Sequence, residues 1–221
     1  MVATLASLAG YALAGAMSSV PASITILILL SPEPRTKALP FLGGSLAGSL
    51  ATVGLSAAGL RLFPARSVLV QVAFPAYVGI LAGAALMGYA VYLLRAPKPA
   101  GPGTVDRLRQ RFDSSRPWQY AALGAGLNLR PKAILLAVAA GAVIGVRNLT
   151  GIESAALIAA YAVVTQSAVV APIIYWLRSP ERSRMRLARL NGWLQRNGRK
   201  LTAGVVLAVG SCLAGYNLLQ L

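Results

Sequence analysis

The chain contains no histidine, so the commonest general base, metal ligand and pH switch near neutrality is missing. A single cysteine, Cys212, excludes a disulfide framework and a thiolate metal cluster. In its apolar surroundings Cys212 reads as a small buried hydrophobe. Acids are also scarce: Glu33, Asp106, Asp113, Glu153 and Glu181 are the five, each in a loop or at the edge of an apolar run. Without histidine, a carboxylate at depth, a cysteine nucleophile or a phosphate-cradling glycine motif, no general acid and base pair can be assembled. The chain does not read as an enzyme, and no metal or cofactor is expected.

Charge as a whole is sparse. Only 12% of the 221 residues are charged and 57% are hydrophobic, which points to an integral membrane protein rather than a soluble domain with a large core. Six apolar spans of membrane-crossing length can be drawn, at about 3–30, 38–60, 68–94, 118–146, 152–177 and 201–219. The first lacks a basic leading segment and reads as a retained helix.

The net charge of +16 does not require nucleic acid, because basic loops beside membrane helices set topology. Lys and Arg number 2, 6 and 8 in the first, third and fifth loops, against 2 and 1 in the second and fourth. That asymmetry predicts cytoplasmic odd loops in a multi-pass inner (plasma) membrane protein, with both termini outside. Tyr92, Trp118, Tyr120, Tyr175 and Trp176 fall at the same ends, where an interfacial aromatic belt is expected. A Pro/Gly-rich piece at 96–103 and a basic amphipathic stretch at 104–112 form a cytoplasmic linker over 95–117, dividing the chain into halves 1–94 and 118–221. Ser179-Pro180-Glu181 then opens a helix by N-cap, N1 proline and acidic first turn. Leu187, Leu190, Trp193 and Leu194 share one side of that helix. With Arg182, Arg186 and Arg189 they predict an interfacial helix at about 179–198, on the membrane surface.

Small residues recur at four-residue spacing in Gly44/Gly48, Gly79/Gly83 and Gly141/Gly145. Such spacing lets helix backbones approach closely, although glycine is common in membrane helices for its own sake.

The costly stretch is Gly126-Leu127-Asn128-Leu129-Arg130-Pro131-Lys132, which places two cations and an amide in the middle of an apolar span. On a straight helix Arg130 lies roughly 20 Å from Pro117, beyond the reach of a snorkelling side chain. A charge at such depth faces a partner, a cavity or a substrate. Pro131 removes a donor, crowds the carbonyl of Leu127 and drives Arg130 from helical dihedrals, so a break is predicted. Only a break lets Asn128, Arg130 and Lys132 converge.

The first span carries a matching interruption, Ser18-Ser19-Val20-Pro21-Ala22-Ser23. Each interruption opens a set of three spans, and the sets start on opposite sides of the membrane. Broken helices at corresponding places in inverted halves point to a midplane transport site, with Pro21 and Pro131 as hinges. Ser18, Ser19 and Ser23 are candidate ligand groups there, and together with Thr25 they equally suit bonding to their own helix backbone. Thr165 and Gln166 in the fifth span are further candidates; helix-to-helix hydrogen bonding suits them as well. With no acid at depth, Arg130 and Lys132 suit a phosphate, sulfate or carboxylate and exclude a cationic cargo.

The run 21–48, with its broken helix, Leu-Leu-Ser-Pro, basic turn and Ala38-Leu39-Pro40-Phe41-Leu42-Gly43-Gly44, resembles the sulfolipid- and glycopeptidolipid-addressing proteins of the lysine exporter (LysE) superfamily. So do Asn128, Pro131-Lys132-Ala133 and Asn191-Gly192-Trp193-Leu194. Exporters of that superfamily often carry Asn-Pro-Lys where this chain has Arg130-Pro131-Lys132, and the added charge departs from an amino-acid cargo. The resemblance implies an all-α, six-helix membrane protein of two inverted three-helix repeats with broken first helices. It further implies a role in moving envelope glycolipids, with a homodimer allowed. The expected function is transport or flipping of an anionic glycolipid or lipid-linked sugar. The alternatives are a small-solute exporter and a non-transporting scaffold for a lipid export machine.

Overall fold

The structure, a computed structural model, describes residues 2–61, 68–95, 116–146 and 149–218. The basic linker at 96–115, with Asp106 and Asp113, lies outside the described residues. The described elements are all helical: α1 (Val2–Ala16), α2 (Ser19–Leu29), α3 (Pro34–Arg61), α4 (Val68–Arg95), α5 (Pro117–Gly126), a 3-10 turn (Leu127–Leu129), α6 (Pro131–Gly145), α7 (Gly151–Thr165), α8 (Ser167–Arg178) and α9 (Pro180–Leu218).

Among the described residues three spans are bent. The axis turns by 48° between α1 and α2, by 70° between α5 with its 3-10 turn and α6, and by 66° between α7 and α8. The first two bends fall where proline predicts them. Pro21 lies in the first turn of α2, and the chain leaves the helix just ahead of it, at Met17 and Ser18. Pro131 is the first residue of α6, with Arg130 as an extended N-cap at φ −71°, ψ 148°. The third bend is a departure from the straight fifth span expected at 152–177. It falls at Gln166, and the only sequence signal for it is the polar trio Thr165-Gln166-Ser167.

One described helix, over Pro34–Gly59, is long and apolar enough to cross a membrane, and the number rises to four if each bent pair is one span. Gly79–Arg95 is apolar but shorter. Up to four spans, against the six expected, are thus found among the described residues.

Each bent span contributes one half to each of two cores. Leu8, Tyr11 and Ala14 of α1 pack with Val53 of α3, Leu86 of α4, Leu136 and Ile144 of α6, Tyr161 of α7 and Val206 of α9. Ile26 and Leu29 of α2 pack instead with Phe41 of α3, Tyr120 of α5, Val169 and Trp176 of α8 and Leu187 of α9. The breaks therefore lie between two apolar layers, and α3 and α9 run through both.

Backbone proximity needs glycine at specific crossings. A Cβ on Gly44 would collide with the Ala121 carbonyl of α5, and one on Gly48 would sit 2.8 Å from Ala125 Cα. A Cβ on Gly145 would sit 2.5 Å from the Ala57 carbonyl oxygen, and Gly83 meets Gly210 across α4 and α9. The helix-on-helix use of these small residues is thus realised on α3, α4 and α6.

Three expectations need correction. The interfacial helix at 179–198 and the last span at 201–219 are joined in one continuous helix, Pro180–Leu218. Within it, Leu187 and Leu194 pack into the second core while Leu190 and Trp193 stay exposed. Cys212 is exposed, because the inward face of α9 is set by Ala203, Val206, Gly210 and Ala214, and a residue two positions from Gly210 points away. Of the aromatic belt, Tyr92, Trp118 and Tyr175 are exposed, whereas Tyr120 and Trp176 are buried core. Their spacing from exposed neighbours along short bent helices turns them inward. Arg186 Nη1 donates to the Tyr175 hydroxyl at 3.1 Å and Arg189 is exposed; of Arg182 only its place in α9 is described.

Replacing Gly44 by Ala should destabilise the folded protein by about 1–3 kcal/mol, since the Cβ meets backbone that cannot rotate away. Gly43→Ala, next door in open space, should be neutral or slightly stabilising because alanine is the better helix former. Thermal unfolding of the two variants in detergent checks the contrast.

Candidate functional site

Between the two cores lies a cavity of about 830 Å³. Ser18, Ser19, Ser23, Asn128, Arg130, Lys132, Thr165 and Gln166, all eight of the candidate ligand residues, line it, as does Pro21. No Asp or Glu is among its described lining residues. Glu33, Glu153 and Glu181 sit instead at helix starts. The cavity is brought together by the three breaks, since Ser18, Arg130 and Gln166 each stand at the junction of two helices.

Lys132 links two of these breaks. Met17 lies in the break between α1 and α2, ahead of the extended N-cap Ser18, so its carbonyl belongs to neither helical ladder. Lys132 Nζ supplies the missing donor, 3.3 Å from Met17 O. The Lys132 side chain is buried, and it places a cation at the C-terminal end of α1, where the helix dipole favours one. Arg130 lines the cavity from the extended residue ahead of α6, and no hydrogen bond or ion pair holds its guanidinium among the described residues.

Asn128 and Gln166 are placed differently from Arg130 and Lys132. The Ser45 hydroxyl donates to Gln166 Oε1 at 2.7 Å, Gln166 Nε2 donates to Asn128 Oδ1 at 2.9 Å, and Asn128 Nδ2 donates to the Ser45 carbonyl at 3.0 Å. Asn128 Nδ2 also reaches Gly124 O at 3.2 Å. This closed circuit, buried on all three residues, fastens α3 to the second and third breaks. It satisfies the Asn128 amide within the protein, so Asn128 shapes the wall that Arg130 and Lys132 stand on. Ser45 was not singled out by the sequence; a serine directly after a glycine pair in an apolar helix carries little signal.

The serines also divide. Ser19 Oγ shares a hydrogen bond with Thr202 Oγ1 at 3.0 Å, tying the first turn of α2 to α9. Ser18 is the extended residue ahead of α2 and its side chain makes no cap hydrogen bond. Thr25, rather than Ser23, makes the backbone bond, to Pro21 O at 2.8 Å.

Arg199 is a lining residue that charge counting assigned to a loop. Its Nε donates to the Leu93 carbonyl in the last turn of α4. Tyr89, Tyr92 and Tyr161 line the cavity as well, adding aromatic faces with hydroxyl tips.

A family model described as Sap, sulfolipid-1-addressing protein, matches residues 8–217. The chain belongs to the Sap family. No curated protein matches the chain, and no solved structure does. Membership and apolar helices together make this Sap-family chain a membrane protein with a lipid-related role.

Gln166→Leu should cost about 1–3 kcal/mol, because it strands the Ser45 hydroxyl and Asn128 Oδ1 in a buried site. In a cycle with Asn128→Leu the two losses should fall short of additivity by at least about 0.5 kcal/mol, as expected for one network. Unfolding of the two single variants and the double variant measures it.

Proposed function

We propose that this protein transports or flips an anionic envelope glycolipid or lipid-linked sugar across the inner membrane by alternating access. The observation that carries the reading is the cavity at the level of three helix breaks, cationic through Arg130 and Lys132 and without an acid among its described lining residues. In a medium of low dielectric, two cations without counter-charge are costly, and a negatively charged guest relieves that cost. The family description speaks of sulfolipid-1, and a sulfate or phosphate ester fits the guanidinium of Arg130 and the donors at the start of α6.

The helix pairings support an inverted repeat of the lysine exporter superfamily type, with halves 1–94 and 118–221 joined by the linker at 95–117. Helices α7 and α8 pack on α1 and α2 as α3 packs on α5 and α6, and α9 packs on α1 and α2 as α4 packs on α6. Of the remaining large contacts, α4 with α9 joins the last helix of each half, and α1 with α6 joins the first bent span of one half to that of the other. Two halves rocking about Pro21 and Pro131 would exchange the Lys132 to Met17 link for ligand contacts at each turnover. An anion entering beside Lys132 competes with Met17 O for the same ammonium, so occupancy and the angle between α1 and α2 are coupled. The basic odd loops support cytoplasmic loading with both termini outside.

The double variant Arg130→Gln, Lys132→Gln should insert and purify normally yet lose transport of acyl-labelled anionic lipid in proteoliposomes, by at least about 100-fold if each charged hydrogen bond contributes about 1.5–3 kcal/mol. Transport at the parental rate would remove the site from the mechanism.

A further inference from the structure

The cavity runs from a deep region to an edge near the basic half of α9. Arg130 and Lys132 sit midway along the second bent span, and Ser49 and Thr52 sit midway along α3. At the other edge the lining is Tyr92 and Leu93, in the last turn of α4, with Leu194, Arg199 and Thr202 of α9. Three contacts hold this edge in shape. Arg199 Nε donates to Leu93 O, Ser19 pairs with Thr202, and Gly198 lies so close to Ser19 that a Cβ there would come within 2.8 Å of the Ser19 Cβ. The first turn of α2 thus lies against α9 between Arg199 and the Met17 carbonyl that Lys132 engages.

We propose that Arg199 is the outer anion-binding residue of the cavity, receiving a phosphate or sulfate headgroup at the edge before it passes along the first turn of α2 to Lys132 and Arg130. The proposal rests on the transport reading above and adds a second station to it. Its ingredients are independent of the inner pair. The bond to Leu93 fixes the guanidinium at the edge, and a planar guanidinium matches the paired oxygens of a phosphate or sulfate ester. The α2 helix begins beside it with amides at Ser19 and Val20 that have no partner within the helix, a setting that favours anions. Tyr92, exposed beside Leu93, adds an aromatic face at the same edge. Arg199, Lys132 and Arg130 line the same cavity, so a headgroup entering at the edge meets cations at both ends of its path.

The test uses the full chain in detergent, with dioctanoyl phosphatidate and inorganic phosphate as separate probes. Arg199→Gln should weaken phosphatidate binding about tenfold and flatten its salt dependence, with Arg199→Lys retaining most of the affinity. Arg130→Gln should weaken the same binding independently. Phosphatidate bound by Arg199→Gln as tightly as by the parent, with Arg130→Gln impaired, would overturn the outer station and leave the transport reading standing. Unchanged affinity in both variants would overturn both. Phosphate bound with the same Arg199 dependence would name the free anion as ligand at this station, and phosphatidate bound alone would name the lipid headgroup; either result supports the station. If Arg199 serves only to tie α9 to α4, the Gln variant loses thermal stability while affinity and salt dependence stay at parental values, and the proposal fails. On the unaltered protein, phosphatidate should slow phenylglyoxal modification of Arg199, read by mass spectrometry; equal rates with and without lipid would also overturn it.

Discussion

A carbonyl without its helical donor is the constraint around which this structure is arranged. The break ahead of Pro21 leaves Met17 O outside both helical ladders, and an unsatisfied carbonyl in an apolar interior costs about 1–3 kcal/mol. The chain answers with Lys132, 115 residues further on, whose ammonium donates to that oxygen. Lys132 reaches it only because Pro131 opens a second break directly before it. Two prolines, one freeing an acceptor and the other aiming a donor, join the first half of the chain to the second at the level of the cavity.

A second closed set of bonds holds the cavity wall. Ser45, Asn128 and Gln166 satisfy one another and tie α3 to the other two breaks. The two sets have different characters. The amide circuit spends its donors and acceptors internally and is suited to rigidity. The Lys132 link sets a full charge against a single neutral carbonyl, an unequal pair that an anionic headgroup can displace. On the proposed alternating-access reading, the first set is the rigid wall and the second the exchangeable link.

Packing follows from the same breaks. Each bent span enters one apolar layer with its first half and the other with its second, so no bent span belongs to a single core. Only α3 and α9 run straight through both layers, and the close crossings of α3 with α5 and α6 use Gly44, Gly48 and Gly145. Membrane helices gain little from burying apolar surface against one another, so such contact is what holds them together.

Much of this was readable from residue order. Long apolar runs and sparse charge determine a membrane-embedded helical protein. Pro21 and Pro131 determine two breaks because a missing N–H acts locally, within one helical turn. The depth of Arg130 and Lys132 determines that they need company, since the distance to the ends of an apolar run is a count of residues. Family membership rests on the same linear information. Tertiary structure alone decided who the company is. Whether Lys132 faces Met17, whether Asn128 serves a ligand or Ser45 and Gln166, and whether Arg199 belongs to a surface or a cavity depend on contacts between residues tens to more than a hundred positions apart. The third break at Gln166 belongs to that class too. Nothing in its own turn forbids a helix there, and at the bend its side chain is held by Asn128 and Ser45, partners that only the folded chain brings near.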